Sequence, residues 1–198
     1  MDISQSHLLN WIATSKTTLP PHYYKQLVVL DYAQSFNIKA LIETGTYLGD
    51  MVDAMTNYFE IIVSIELSPQ LHMNATQKFK NFKNVTLLLG DSGILLPDVL
   101  NHIKFRCLFW LDGHYSAGVT AKGDVNTPII KELNSILEHA EDNHVILIDD
   151  ARLFNGSEDY PTIKELEFLI ENHGYSLNVS NDIIRITPTS LSTAHSWF

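Results

Sequence analysis

Ile61-Ile62-Val63-Ser64-Ile65-Glu66 is a short β-branched apolar run that stops at a carboxylate. The pattern recurs four more times. Leu41-Ile42 ends in Glu43, Val85 to Leu89 precedes Gly90-Asp91, Cys107 to Leu111 precedes Asp112, and Val145 to Ile148 precedes Asp149-Asp150. Runs of this length, bounded by turn residues and separated by helix-compatible stretches, read as buried strands of a parallel sheet. In such a sheet the strand ends share one edge, and ligands bind outside the carboxyl ends. The sequence thus places six acids on one crevice.

Outward from these runs, strands are expected near 39–43, 61–65, 85–89, 106–111 and 144–149. Helices are expected near 50–59, 69–80, 93–102, 128–141 and 161–173. Thr127-Pro128 and Tyr160-Pro161 put proline at a helix start, where its missing N–H costs nothing. Asn172-His173-Gly174 reads as a helix stop. Beyond it, Tyr175 to Val179 and Ile183 to Thr187 alternate around Asn181-Asp182, the pattern of an antiparallel hairpin. His7 to Ala13 and Tyr23 to Phe36 form two further helices ahead of the first strand.

The expected fold is a Rossmann-like, doubly wound α/β sheet of seven strands, parallel except for the C-terminal hairpin, with N-terminal helices. We read 1–198 as one domain, with a helical cap over 1–37, a core over 38–188 and a tail over 189–198. The cap has an apolar face at Leu8, Leu9, Trp11 and Ile12. It is expected to pack on its own chain, with pairing to a second copy as the alternative.

Composition narrows the function. The 198 residues are 45% hydrophobic and 18% charged, ordinary for a soluble domain. Lys plus Arg is 13 against 23 acids, a formal net charge of −10, which disfavours nucleic-acid backbone binding. The single cysteine, Cys107, allows no disulfide framework. No basic, apolar leader opens the chain, and no run approaches the roughly 20 apolar residues of a membrane span. A cytoplasmic protein without membrane or nucleic-acid partners is expected.

Glu43-Thr44-Gly45-Thr46-Tyr47-Leu48-Gly49 falls where the first strand turns into a helix. Glycines there allow close backbone approach to a ligand, and a helix N-terminus offers free N–H donors. A nicotinamide fingerprint requires G-x-G-x-x-G; only Gly45 and Gly49 are present, flanked by Thr44 and Thr46. Glu43 suits a cationic ligand better than a diphosphate. Glu66, followed by Leu67, lies 21 residues after Gly45, the spacing of an acid that accepts ribose hydroxyls. Asp91, between Gly90 and Ser92, is placed to accept from an adenine amino group. Asp112, Asp149 and Asp150 at adjoining strand ends make an oxygen-rich set of the kind Mg²⁺ prefers, and a cation would relieve their repulsion.

These motifs resemble the class I S-adenosylmethionine-dependent methyltransferases over roughly 39–187. The matching pieces are Glu43 to Gly49, Ile65-Glu66, Gly90-Asp91-Ser92 and the hairpin. Asp112 and Asp149-Asp150 further resemble the metal site of the catechol-type and macrocin-type O-methyltransferases. The segment Gly90 to Leu96-Pro97 also matches what those enzymes carry after strand three.

The resemblance implies that Glu43, Thr44, Gly45, Thr46, Gly49, Glu66, Leu67, Gly90, Asp91, Ser92 and Asp112 bind S-adenosylmethionine. It also implies that Asp112, Asp149 and Asp150 bind a divalent metal, Mg²⁺ by preference. Two departures stand out. The catechol type has a lysine base shortly after its first metal Asp, whereas this chain has His114, and the 113–126 loop matches neither branch.

His114, with an ordinary pKa of about 6.5, suits proton removal near neutrality. Its plainer alternative is to orient Asp112 or cap the loop. His144, before strand five, reads as structural. Tyr115, Tyr23 and Tyr24 could wall an acceptor pocket, and the 113–126 loop reads as a lid.

The expected activity is methyl transfer to a hydroxyl of a small molecule, a sugar first and a phenol second, with Asp112 and His114 as catalytic residues. N-methylation is a further variant. The alternatives are an inactive S-adenosylmethionine-binding module and a nicotinamide-dependent oxidoreductase.

Overall fold

A computed structural model describes residues 3–14, 16, 18–113, 127–141 and 143–191. Its helices are α1 (Ile3–Ala13), α2 (His22–Ser35), α3 (Asp50–Met55), α4 (Pro69–Phe79), α5 (Ser92–Asn101), α6 (Ile129–Leu137) and α7 (Ile163–Ile170). The strands are β1 (Ala40–Thr44), β2 (Ile61–Glu66), β3 (Val85–Leu89), β4 (Leu108–Leu111), β5 (Val145–Ile148), β6 (Tyr175–Ser180) and β7 (Ile183–Pro188). They form one sheet in the order β3-β2-β1-β4-β5-β7-β6. The first five strands pair in parallel, and β7 runs antiparallel to both β5 and β6. The expected seven-stranded, doubly wound architecture is the one observed.

Strands buried on both faces need cover from both sides, and each face has its own core. Ala40, Ile42, Phe109, Leu111, Ile146 and Ile148 pack under α5, α6 and α7, against Leu96, Leu133 and Leu166. Leu41, Ile62, Leu108, Trp110 and Leu147 pack under the other helices, against Trp11, Val29, Val52 and Phe79. The N-terminal helices α1 and α2 are therefore part of the second core. Trp11 and Tyr24 are in contact there, with ring centroids 4.8 Å apart.

Helix ends are where the structure departs from the periodicity. α3 stops at Met55 rather than near 59, because Asn84 Nδ2 donates to the carbonyls of both Thr56 and Phe59, at 2.9 Å each. α6 stops at Leu137 rather than near 141; the chain turns there so that His139 Nδ1 meets His144 Nε2 at 3.0 Å. α7 begins after Thr162, not at Pro161. Thr162 and Glu165 close a capping box that satisfies backbone donors at that end. A turn of 3-10 helix, Glu171–His173, carries α7 to Gly174, whose positive φ reverses the chain.

The hairpin turn is Asn181-Asp182, with φ of 48° and 62°. Positive φ at both central residues is what a two-residue type I′ hairpin requires, and Asn and Asp tolerate it. Among the described residues no helix is long and apolar enough to cross a membrane.

Candidate active site

Register decides which way the strand-end acids point. Glu43 pairs with Ser64 and with Trp110, and Trp110 pairs with Leu147. Side chains alternate along a strand, so residues two positions from these partners share their face. Glu43, Glu66, Asp112 and Asp149 therefore lie on one face of the sheet, the face covered by α2. They come from β1, β2, β4 and β5 and sit at the carboxyl edge.

Glu43 is buried and accepts a short hydrogen bond from the Ser64 hydroxyl, which in turn meets Thr46 Oγ1 at 2.5 Å. Burial pushes its carboxyl up to about 8, partly offset by the Ser64 hydrogen bond. Glu66 is also buried, and both of its oxygens accept backbone donors: Oε2 from Tyr47 N and Oε1 from Ser68 N, each at 2.8 Å. Each oxygen retains lone pairs for further donors. Leu67 lies half-buried between these contacts. Gly90 N donates to the Glu66 carbonyl at 2.9 Å, which ties the β3 turn to the β2 end. Asp91 caps α5, Oδ1 accepting from Gly93 N at 2.8 Å, and Ser92 opens that helix from a buried position.

The glycines of the first turn serve the protein's own packing. Gly45 has φ of +85°, and a Cβ there would stand 2.4 Å from the Asp112 carbonyl oxygen. Its absence lets the β1 turn lie directly on the end of β4. At Gly49, with φ of +73°, a Cβ would stand 2.6 Å from the Phe79 ring. Both glycines are thus demanded by packing within the chain itself.

On the opposite face, Thr44 is buried and its Oγ1 has no hydrogen-bond partner of ordinary geometry among the described residues. Glu132 Oε1, reaching in from α6, is likewise buried and without one among those residues. Burial pushes Glu132 up to about 7, with the neighbouring Ser92 and Thr44 hydroxyls holding it back. Gly113 lies between them: a Cβ there would be 3.1 Å from Thr44 Oγ1 and 3.4 Å from Glu132 Oε1.

The ends of β4 and β5 carry the acids expected to hold a metal, and the structure brings a lysine to them. Lys25 of α2 makes a short ion pair with Asp149 and lies 3.7 Å from Asp150 Oδ1. Asp149 Oδ1 also accepts from Asp150 N at 2.8 Å. Asp150, with φ of 56°, receives Arg152 Nη1 at 2.7 Å, and the same guanidinium pairs with Asp182 of the hairpin turn. Burial and the nearby Asp149 hold Asp112 well above the usual carboxylate range, opposed by Lys25. Tyr160, buried and near Asp150 and Asp112, is pushed up to about 12 by burial and by those acids.

The acids therefore do not fit a metal as they are arranged. Among the described residues no group of three His, Cys, Asp or Glu side chains converges as a metal site. Asp149 holds the Lys25 ammonium, and Asp150 lies between that ammonium and the Arg152 guanidinium. Glu43 and Glu66, the acids expected to meet an ammonium and ribose hydroxyls, both lie buried at the carboxyl edge of the sheet. His114, Tyr115 and the rest of the 113–126 loop apart from Gly113 lie outside the described residues, so base and lid remain expectations from sequence.

His144 belongs to the opposite end of the sheet. It is fully buried, its Nδ1 accepts from Cys107 N at 3.0 Å, and it stacks on His139.

Four residues of this region escaped the sequence reading. Ser64 is a hydroxyl inside an apolar strand, a signal in plain view. Lys25 stands four residues before Val29 and eight before Ala33, both buried, so it occupies a core-facing register of α2. Glu132 shares a helix face with Ile129, Leu133 and Ile136 in the same way. Arg152 carries no such mark, since its partners are set by tertiary structure.

No family model matches the sequence, and no curated protein matches it either. Solved structures do. The O-methyltransferase TomG from Streptomyces achromogenes, solved with S-adenosylmethionine, superposes with a TM-score of 0.61 at 12% identity, over 95% of this chain and 91% of that one. The methyltransferase PaMTH1 from Podospora anserina, bound to S-adenosylhomocysteine, gives 0.60 at 18% identity, over 94% and 88%. An O-methyltransferase from Bacillus cereus, also with S-adenosylhomocysteine, gives 0.61 at 13% identity, over 94% and 91%. The fold is that of the class I S-adenosylmethionine-dependent methyltransferases. At these identities the likeness is one of fold.

Proposed function

We propose that the protein transfers a methyl group from S-adenosylmethionine to a hydroxyl of a small molecule, with a sugar as the first candidate acceptor. The observation that carries this reading is the convergence of Glu43, Glu66, Asp112 and Asp149 on one face at the carboxyl edge of the sheet. A crevice of acids favours a cationic, hydroxyl-bearing donor over a dinucleotide diphosphate. The solved structures of the same fold with S-adenosylmethionine or its product support the choice.

In this reading the bound donor supplies an electrophilic sulfonium methyl. Glu66 accepts from the ribose hydroxyls while keeping its two backbone donors. Asp91 accepts from the adenine amino group, and Glu43 accepts from the donor's ammonium. Glu43 carries a proton at neutral pH in the ligand-free protein and releases it when a cation arrives. Thr44, Gly45, Thr46 and Gly49 shape the turn around the donor.

Asp112, Asp149 and Lys25 line the acceptor side, and His114 removes the hydroxyl proton from its place just after Asp112-Gly113. Rate enhancement comes chiefly from alignment of the hydroxyl with the methyl in a closed site. Because Lys25 already occupies the acid cluster, no step is assigned to a divalent ion.

Calorimetry with S-adenosylhomocysteine and with NAD tests the donor half; binding of NAD alone contradicts the proposal. Turnover of methyl-labelled donor against a panel of sugars and phenols tests the rest. Donor binding without transfer to any acceptor favours the inactive binding module instead.

A further inference from the structure

Three carboxylates at two adjoining strand ends need positive charge nearby, because like charges within a few Å disfavour one another's ionisation. The chain meets that need from within. Lys25 reaches Asp149 and Asp150, and Arg152 reaches Asp150. Both oxygens of Asp149 are engaged, Oδ2 by Lys25 and Oδ1 by the Asp150 N–H. Mg²⁺ demands near-octahedral oxygen ligands at about 2.0–2.1 Å and gives up its water reluctantly. To bind here it would have to expel an ammonium that its own charge repels.

The lysine is not a loose surface group that falls against the acids. Its helix is anchored on both sides of it, by Tyr24 and by Val28 and Val29, all buried in the α2 core. The Tyr24 hydroxyl accepts from Asn181 Nδ2 at 2.6 Å, so the same turn of α2 is tied to the β6–β7 hairpin. Withdrawal of Lys25 by movement of the helix would break that core.

We propose that Lys25 is the resident cation of the Asp112, Asp149 and Asp150 cluster, standing where the acid pattern led to the expectation of Mg²⁺, and that the protein works without a divalent ion there. Lys25 is a positioning residue: it holds Asp149 and Asp150 in place and fixes α2 over the acceptor side of the crevice. The inference rests on the methyltransferase reading for its functional half, but the cation site itself can be tested without turnover.

The test is Mn²⁺ titration of chelator-treated full-length protein, read by electron paramagnetic resonance, for the wild type, Lys25→Met and Asp149→Asn. The wild type is expected to show no site that depends on Asp149. Lys25→Met is expected to gain one, about tenfold or more tighter than any wild-type binding. Wild-type Mn²⁺ binding that Asp149→Asn abolishes overturns the proposal. So does a folded Lys25→Met that stays blind to Mn²⁺, which reduces the contact to an ordinary ion pair.

If Lys25→Met does not fold alone, its refolding by added Mn²⁺ but not by the same ionic strength of sodium supports the exchange of one cation for another; failure of both counts against it. S-adenosylhomocysteine binding measured on the same samples keeps the two readings separate. A wild type blind to both Mn²⁺ and the donor product defeats the methyltransferase reading and leaves the lysine assignment standing.

Discussion

The Ser64 hydroxyl donates to the Glu43 carboxyl across the β1–β2 register, inside strands that water does not reach. Burial nevertheless lifts Glu43 to about 8 against that hydrogen bond, and Glu132 on the other face of the sheet is lifted to about 7. Their ordinary value is 4.5. The contribution of both groups to stability is complete below that value. As pH rises, the unfolded chain ionises first while the fold keeps its protons, so the contribution is lost through 7 and then 8. The melting temperature is therefore expected to fall between about pH 5 and 8.5. Calorimetric scans at half-unit pH intervals check this, and Glu132→Gln should flatten the segment around neutrality. A profile that rises over the range contradicts both assignments.

Replacing Gly45 by alanine places a Cβ against the Asp112 carbonyl and at a φ that L-residues resist. A loss of more than about 1 kcal/mol is expected, with strain of order 1–3 kcal/mol as its source. Urea unfolding measures it. Because the clash is with the backbone of Asp112, a residue of the proposed site, affinity for S-adenosylhomocysteine should fall as well. A variant with wild-type stability would show that the turn can shift away from β4 without penalty.

Glu66→Ala leaves the Tyr47 and Ser68 N–H groups without their acceptor. Each unsatisfied buried donor costs about 1–3 kcal/mol. Glu66→Gln keeps one acceptor oxygen and should lose less stability. Both variants should bind S-adenosylhomocysteine more weakly, by calorimetry. If Glu66→Gln binds it as the wild type does, Glu66 is a structural clamp and nothing more.

Arg152 pairs with Asp150 and Asp182 from a largely exposed position. Water and salt screen such pairs, so Arg152→Ala should cost under about 1 kcal/mol in thermal unfolding. The loss should shrink further in high salt. A loss of several kcal/mol that salt leaves unchanged would mean that the bridge holds the hairpin against β5 far more firmly than its exposure suggests.

Much of this architecture was legible in advance. Alternation of apolar runs with helix-compatible stretches located every strand to within a few residues, and Asn181-Asp182 marked the hairpin by the conformations those residues tolerate. Strand-end acids could be placed on one edge because a parallel sheet brings its carboxyl ends together. Helix ends were less legible. Asn84 stops α3 from another element, and His144 turns the end of α6, so neither stop is written in the helix itself.

Within the site, the acids were visible but their partners were not. Lys25 lies 124 positions before Asp149. Nothing local to the acid tells whether a metal or a side chain will neutralise it. The expectation of Mg²⁺ has that origin: a cluster of carboxylates states a need for positive charge without naming its source. Lys25 and Glu132, each a charged residue on an otherwise buried helix face, were the legible hints.

The insertion of β7 between β5 and β6 has a consequence for how the chain matures. Until Ile183 to Pro188 has been made, β5 presents an unpaired edge of four apolar residues, and Asp150 and Arg152 lack the hairpin turn that clamps them. An open apolar strand edge invites the wrong pairings. A chain still emerging from the ribosome can therefore hold the β1–β3 end of its sheet assembled while the β5 end stays unfinished, and any chain halted before that strand is a prime candidate for aggregation and proteolysis.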